Sequence, residues 1–248
     1  MWLRSLAFNI AFYLWTTLVV VVASPSLACR RTVLIAVARF WARGAVWLLK
    51  AICRLDYRIE GGENLPTGAV IIAAKHQSAW DTFIFNVFLE DPAYVLKREL
   101  LLIPFYGWYA ARAGMISVDR SGHASALKYM VRQAERAAAA GRQIVIFPQG
   151  TRIAPGESKA YLPGVQALYG KLGVPVVPVA LDSGLYWGRR GFLKRPGTIR
   201  LVFLPAIPPG LKRAAFTERL ETAIETVSNR LIAASSEPAL GGVAADQG

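Results

Sequence analysis

The stretch between Arg4 and Arg30 contains no charged residue, and its centre, Leu6–Ala23 (LAFNIAFYLWTTLVVVVA), is almost wholly apolar. A helix of about 18–20 residues rises roughly 30 Å, close to the hydrocarbon thickness of a bilayer. Pro25 marks its expected end. The segment therefore reads as a transmembrane or re-entrant helix. A cleaved signal peptide is the rival reading, because Arg4 supplies a charged start and Leu27-Ala28-Cys29 looks faintly like a processing site. Against it, the apolar run exceeds the ~7–15 residues of a signal core. Arg30, Arg31, Arg39, Arg43 and Lys50 follow. The positive-inside bias then puts the rest of the chain on the cytoplasmic face of an inner membrane.

Thr32–Cys53 reads as a second, amphipathic helix in which Val33, Val37, Phe40, Trp41, Val46 and Trp47 interleave with Arg39, Arg43 and Lys50. Indole favours the headgroup level and long cations reach anionic lipid, so the pattern fits an interfacial helix. A helix packed on the globular domain with its cations in water fits equally, as does a pair of helices lying on one leaflet. Composition points the same way. The chain carries 29 Lys and Arg against 16 Asp and Glu, a formal charge of +13, with 54% hydrophobic and 18% charged residues. Such a chain is not disordered. Its basicity seeks an anionic surface, most naturally membrane lipid. The apolar segment and the lack of a recognised reader motif argue against nucleic acid. Cys29 and Cys53, with His76 and His123 as the only histidines, offer neither a disulfide framework nor a metal site.

From Asp56 onward, short apolar runs alternate with helical stretches. Ala69–Ala74, Ile144–Phe147 and Val174–Leu181 have the near-continuous hydrophobicity of strands covered on both faces. Ala124–Ala140 has helical spacing, with Ser121 as its cap, and Phe216, Leu220, Ile224, Val227 and Leu231 stripe a last helix. The expected fold is α/β, a largely parallel sheet flanked by helices. Residues 1–54 form a membrane-associated helical pair, 55–234 the globular domain and 235–248 a loose tail.

Three constellations carry chemistry. His76 leaves the first strand, where α/β sheets place their ligands, and Asp81 stands five residues on. On one uninterrupted helix these side chains would point about 140° apart, so a turn near Ser78 must bring them together. The carboxylate would then accept from one imidazole nitrogen and leave the other as a base. Without such a turn, the pair reads as a capping Asp and a satisfied core His. Phe147-Pro148-Gln149-Gly150-Thr151-Arg152 leaves the next strand. Its glycine permits backbone approach, its threonine offers a hydroxyl and its arginine a planar fork for phosphate; a plain Pro-Gly turn is the alternative. Leu96–Arg120 adds Lys97, Arg98 and Arg120 near strand ends. Within it, Leu100–Trp108 is too apolar for an ordinary surface loop, as an acyl-channel wall or as core. Trp80 and Trp108 read first as core, second as tunnel walls. Tyr186–Arg190, followed by Lys194 and Arg195, reads first as a solvated basic loop and second as a membrane-contact or donor-binding edge.

Taken in order, these blocks resemble the 1-acylglycerol-3-phosphate acyltransferases and the wider glycerolipid acyltransferase superfamily. His76–Asp81 looks like the family's H-x4-D motif, Met115–Arg120 its second block, Phe147–Arg152 its F-P-E-G-T-R block, and Val174–Val179 its fourth. The likeness covers roughly Asp56 to Pro205, and Gln149 departs from it by replacing the usual glutamate. The resemblance implies His76 as general base on a lysophospholipid hydroxyl, oriented by Asp81. It also implies a phosphate site from Gly150, Thr151, Arg152 and Gln149, with Arg120 and Lys97. The donor would be acyl-CoA or acyl carrier protein as co-substrate, with no cofactor, and the product phosphatidic acid. A different acceptor, such as glycerol-3-phosphate, another lysophospholipid or a lyso-aminolipid, fits the same blocks. A non-enzymatic basic membrane-binding protein is the alternative of another class.

Overall fold

The computed structural model of the chain describes residues 1–119 and 123–236. Its elements run α1 (Trp2–Val22), α2 (Arg31–Cys53), β1 (Leu55–Glu60), β2 (Val70–Ala74), α3 (Asp81–Phe88), β3 (Pro92–Lys97) and α4 (Tyr106–Arg112). After these come β4 (Ile116–Val118), α5 (His123–Ala139), β5 (Gln143–Ile146), α6 (Pro163–Leu172), β6 (Val176–Leu181), β7 (Gly197–Phe203) and α7 (Arg213–Ser236). The strands form one seven-stranded sheet in the order β1-β7-β6-β2-β5-β3-β4. From β6 to β4 all neighbours are parallel, while β7 runs antiparallel to β6 and parallel to β1.

Parallel neighbours need crossover connections, and here helices supply most of them, so both sheet faces are covered. Strand β2 shows the consequence, since all five of its residues are buried. Val70, Ile72 and Ala74 join a core with α2 and α3, and Ile71 and Ala73 join a second core with α5, α6 and α7. That two-sided burial is why the run reads as uninterrupted hydrophobicity rather than alternation. Pro178 sits inside β6, an uncommon place for proline. It still accepts from the Leu204 amide at 2.9 Å, but the named β6–β7 register stops one residue away, at Val179 opposite Phe203.

Helices α1 and α2 form a hairpin fastened to the first core along its length. Phe8 is fully buried there, and Phe12 packs against Phe83 of α3. Trp15 Nε1 donates to the Trp41 carbonyl and Trp41 Nε1 to Thr16 Oγ1, both at 3.0 Å. Gly44 permits this crossing, because a Cβ there would lie 2.3 Å from the Trp15 ring. At one end Lys194 donates to Asn9 Oδ1 at 2.6 Å beneath the rings of Phe8 and Trp187. At the other, Tyr109 donates to the Ala23 carbonyl at 2.6 Å and Arg112 reaches the Leu27 carbonyl at 3.0 Å. The basic aromatic loop around Trp187 and Lys194 is therefore a clasp on α1 rather than a solvated edge.

Candidate active site

The carboxyl ends of β2, β5, β6 and β3 converge, and each exit contributes side chains. Strand order decides which meet. Flanking β2 are β5 and β6, so His76 is bracketed by Phe147 from one and Ser183 from the other. The turn required by the H-x4-D spacing is present, because α3 begins only at Asp81 and the residues before it loop back. Asp81, fully buried, places Oδ2 3.0 Å from His76 Nδ1. The same oxygen accepts from the backbone amides of Gln77 at 2.7 Å and Ser78 at 2.8 Å. Ser183 Oγ donates to Oδ1 at 2.6 Å.

That arrangement decides the chemistry of the pair. A buried carboxylate receiving two amides and a hydroxyl is organised as an acceptor, so the imidazole nitrogen facing it carries the hydrogen. Nε2 is then the nitrogen left to take a proton. The ring is held flat against Phe147, with centroids 4.1 Å apart and an interplanar angle of 21°. Ile153 N donates to the His76 carbonyl at 2.8 Å, which stitches the segment after Phe147–Arg152 to the histidine's own backbone.

His76 opens onto a cavity of about 900 Å³, within the range of roughly 300–1,000 Å³ typical of ligand sites. One end is polar, lined by His76, Gln149, Gly150, Thr151, Lys97 and Lys159. The remainder is mainly apolar, with Thr16, Thr82, Asn86 and Asp119 also in its lining, and includes Val19, Val20, Leu34, Val37 and Trp41 of the hairpin and Phe83 of α3. Gly150 has φ +67°, a left-handed conformation that favours glycine and turns the chain sharply at the polar end. Arg152 is half-buried next to this turn but is not among the lining side chains. Lys97 lies on the rim and pairs with Glu99 at 2.8 Å. Arg120, the remaining sequence candidate, lies outside the described residues, as do Ser121 and residues 237–248; the expected tail begins later than 235, because α7 runs on to Ser236.

Gln149 is buried, and its Nε2 donates to Glu225 Oε1 on α7 at 3.3 Å. The aromatic expectations divide. Trp80 is core, packed against Tyr57, and Trp108 is exposed and away from the cavity, whereas Leu100 and Tyr106 do line it. Of the Leu100–Trp108 block, Leu100 and Tyr106 thus serve the channel wall, while most of Leu102–Trp108 is solvent-facing, with Leu102 at 80% exposure. Ser183, Lys159 and Glu225 were not singled out from the sequence. Ser183 follows a predicted strand directly, and the strand-end rule would have found it. For Glu225 no local signal exists. No group of three or more His, Cys, Asp or Glu converges for a metal among the described residues.

The Acyltransferase family model matches residues 56–182. A 1-acyl-sn-glycerol-3-phosphate acyltransferase of Pseudomonas aeruginosa is 41% identical over 171 residues, covering 69% of this chain and 66% of that protein. The protein of the same name from Saccharomyces cerevisiae is 30% identical over 57% of this chain and 48% of its own length. The chain thus spans about half to two thirds of these curated relatives. The crystal structure of a 1-acyl-sn-glycerophosphate (LPA) acyltransferase from Thermotoga maritima shares the fold, with a TM-score of 0.76 at 22% identity over 94% of this chain and 98% of that one.

Proposed function

This chain belongs to the Acyltransferase family, and from that premise we propose that it acylates the free sn-2 hydroxyl of lysophosphatidic acid to give phosphatidic acid. The observation that carries the reading is the His76–Asp81 pair, held by three further hydrogen bonds, at the polar mouth of an apolar cavity. The names of the Pseudomonas and yeast relatives support the acceptor.

The residues supply each requirement of the reaction. His76 Nε2 takes the proton of the acceptor hydroxyl, and Asp81 fixes the tautomer and stabilises the imidazolium, as the acid partner does in hydrolytic triads. The hydroxyl oxygen attacks the thioester carbonyl of acyl-CoA or of acylated acyl carrier protein. The tetrahedral intermediate then expels the thiolate, which His76 reprotonates. No serine ester is needed, because the acceptor alcohol is itself the nucleophile. Gly150 and Thr151 on the cavity wall, Lys97 and Lys159 at its rim and Arg152 beside them hold the phosphate by charge-assisted hydrogen bonds. The acyl chain lies in the apolar arm between hairpin and domain.

The same arm explains a membrane location. Both hairpin helices are long and apolar enough to span a bilayer, but α1 is fastened to the domain at both ends and in the middle. The pair therefore lies in one leaflet with its outer face in lipid and the cavity open to that leaflet. The catalytic domain sits on the cytoplasmic side. Lipid acceptor and product then need never leave the membrane. Thiol release from acyl-CoA and from acyl carrier protein, with and without lysophosphatidic acid, tests the proposal when combined with mass spectrometry of the lipid products. Acceptor-dependent release with phosphatidic acid formed is the expected result. No acceptor dependence with either donor leaves only lipid binding. Acylation of a different acceptor from a panel overturns the substrate assignment alone.

A further inference from the structure

We propose that Glu225 on α7 is a positioning residue for the loop that carries Gly150, Thr151 and Arg152, and that the amide at position 149 is matched to it; this rests on reading that loop as the acceptor's phosphate site. The starting point is Lys75, the last residue before His76, whose side chain is 2% exposed. An ammonium withdrawn from water needs an anion beside it. Glu225 provides one, with Oε2 2.6 Å from Lys75 Nζ. The same ammonium donates to the Glu157 carbonyl at 3.3 Å. The other carboxylate oxygen accepts from Tyr161 Oη at 3.0 Å and from Gln149 Nε2 at 3.3 Å. Burial and the Glu225 charge push the Tyr161 phenol well above its ordinary range, so it stays a donor.

Three points of one loop, at residues 149, 157 and 161, are thus fastened around a single ion pair. Gly150, Thr151, Arg152 and Lys159 lie between those points. The cluster sets one carboxylate opposite one ammonium, and the Gln149 amide turns its NH2 toward an accepting oxygen while its own Oε1 is buried without a hydrogen-bond partner among the described residues. A glutamate at 149, the usual residue of the block this segment resembles, would set two anionic acceptors about 3.3 Å apart. Here the carboxylate arrives from α7 instead.

The experiment compares E225Q, Q149E and the double variant Q149E/E225Q with the unchanged protein. KM for lysophosphatidic acid, kcat and the thermal unfolding midpoint are measured for each. Losing or opposing a charge-assisted contact should raise KM at least about tenfold in each single variant, with kcat within about threefold. The double variant, which moves the carboxylate from 225 to 149, should return KM to within about threefold of the starting value. A single variant with unaltered KM overturns the proposal, and so does a folded double variant no better than the worse single. A fall in kcat in step with lost folded protein, at constant KM, marks a purely structural staple and also overturns it. If E225Q does not fold, Q149E and the double variant still carry the comparison. If the unchanged protein fails to acylate lysophosphatidic acid, the acceptor reading falls, while coupling between 149 and 225 is still read from the four midpoints. Rescue of the midpoint then supports the matched pair, and additive losses overturn it.

Discussion

Helix α1 and strand β2 are both built almost wholly from apolar residues, yet β2 is buried throughout while Ile10, Tyr13, Leu14, Leu18, Val21 and Val22 of α1 are each more than half exposed. The difference lies in what covers them. In β2, successive side chains point to opposite faces and helices lie on both. In α1, Phe8 and Val19 face protein and are buried, and the outer face meets none among the described residues. Equal hydrophobicity therefore does two jobs, packing a core that aims His76 and leaving an apolar outer face, which the proposed function assigns to lipid. Exposed apolar area on this scale marks an interaction site. The Leu102–Trp108 block adds to it, because Tyr109 and Arg112 of α4 tie that region to the same end of the hairpin.

Changes on the two sides of this divide should separate cleanly. The largest effect is expected at the site itself. Asp81→Asn replaces an acceptor with an amide where three donors besides the imidazole converge, so kcat should fall about 10²–10⁴-fold. Vesicle binding, followed by co-flotation, should not change. Next, Phe8→Ala should cost about 3–5 kcal/mol in unfolding experiments in detergent. Leu14→Ala on the same helix should stay within about 0.5 kcal/mol. Equal costs at the two positions would erase the distinction between the helix faces. Third, Leu14→Glu with Leu18→Glu should leave the fold intact but weaken binding to anionic vesicles by about 10²–10⁴-fold. Each lost side chain removes about 1.5–3 kcal/mol of burial in lipid. Smallest, Arg152→Ala should raise KM for the phosphorylated acceptor roughly tenfold with kcat nearly constant, since it removes one charge-assisted contact. An unchanged KM would move the phosphate to Lys97 and Lys159.

What the sequence made legible follows the same division. Contacts between near neighbours in the chain were readable. The strand exits at His76 and Phe147 and the apolar spans of α1 and α2 follow from spacing and periodicity, whereas spacing alone leaves both a His76–Asp81 turn and a capping Asp open and only the family resemblance points to the turn. The long-range partners were not. Ser183 lies 102 residues from Asp81 and Glu225 lies 150 from Lys75. Strand order brings Ser183 to Asp81 and the docking of α7 brings Glu225 to Lys75, and local pattern encodes neither. Burial of Lys194 under Phe8 and Trp187 was hidden for a similar reason, because a basic aromatic loop reads as solvated until its partner helix is known. The block around Trp108 shows the reverse error. Its hydrophobicity was plain, but whether it faced core, cavity or lipid depended on where α4 docked.

The most direct test of the account is kcat for acyl transfer to lysophosphatidic acid in the unchanged protein and in His76→Ala, each bound to vesicles and shown to be folded. Removing a positioned base should lower turnover by about 10²–10⁴-fold while leaving the protein on the membrane. Turnover within a few-fold of the unchanged protein would mean that His76 is not the base.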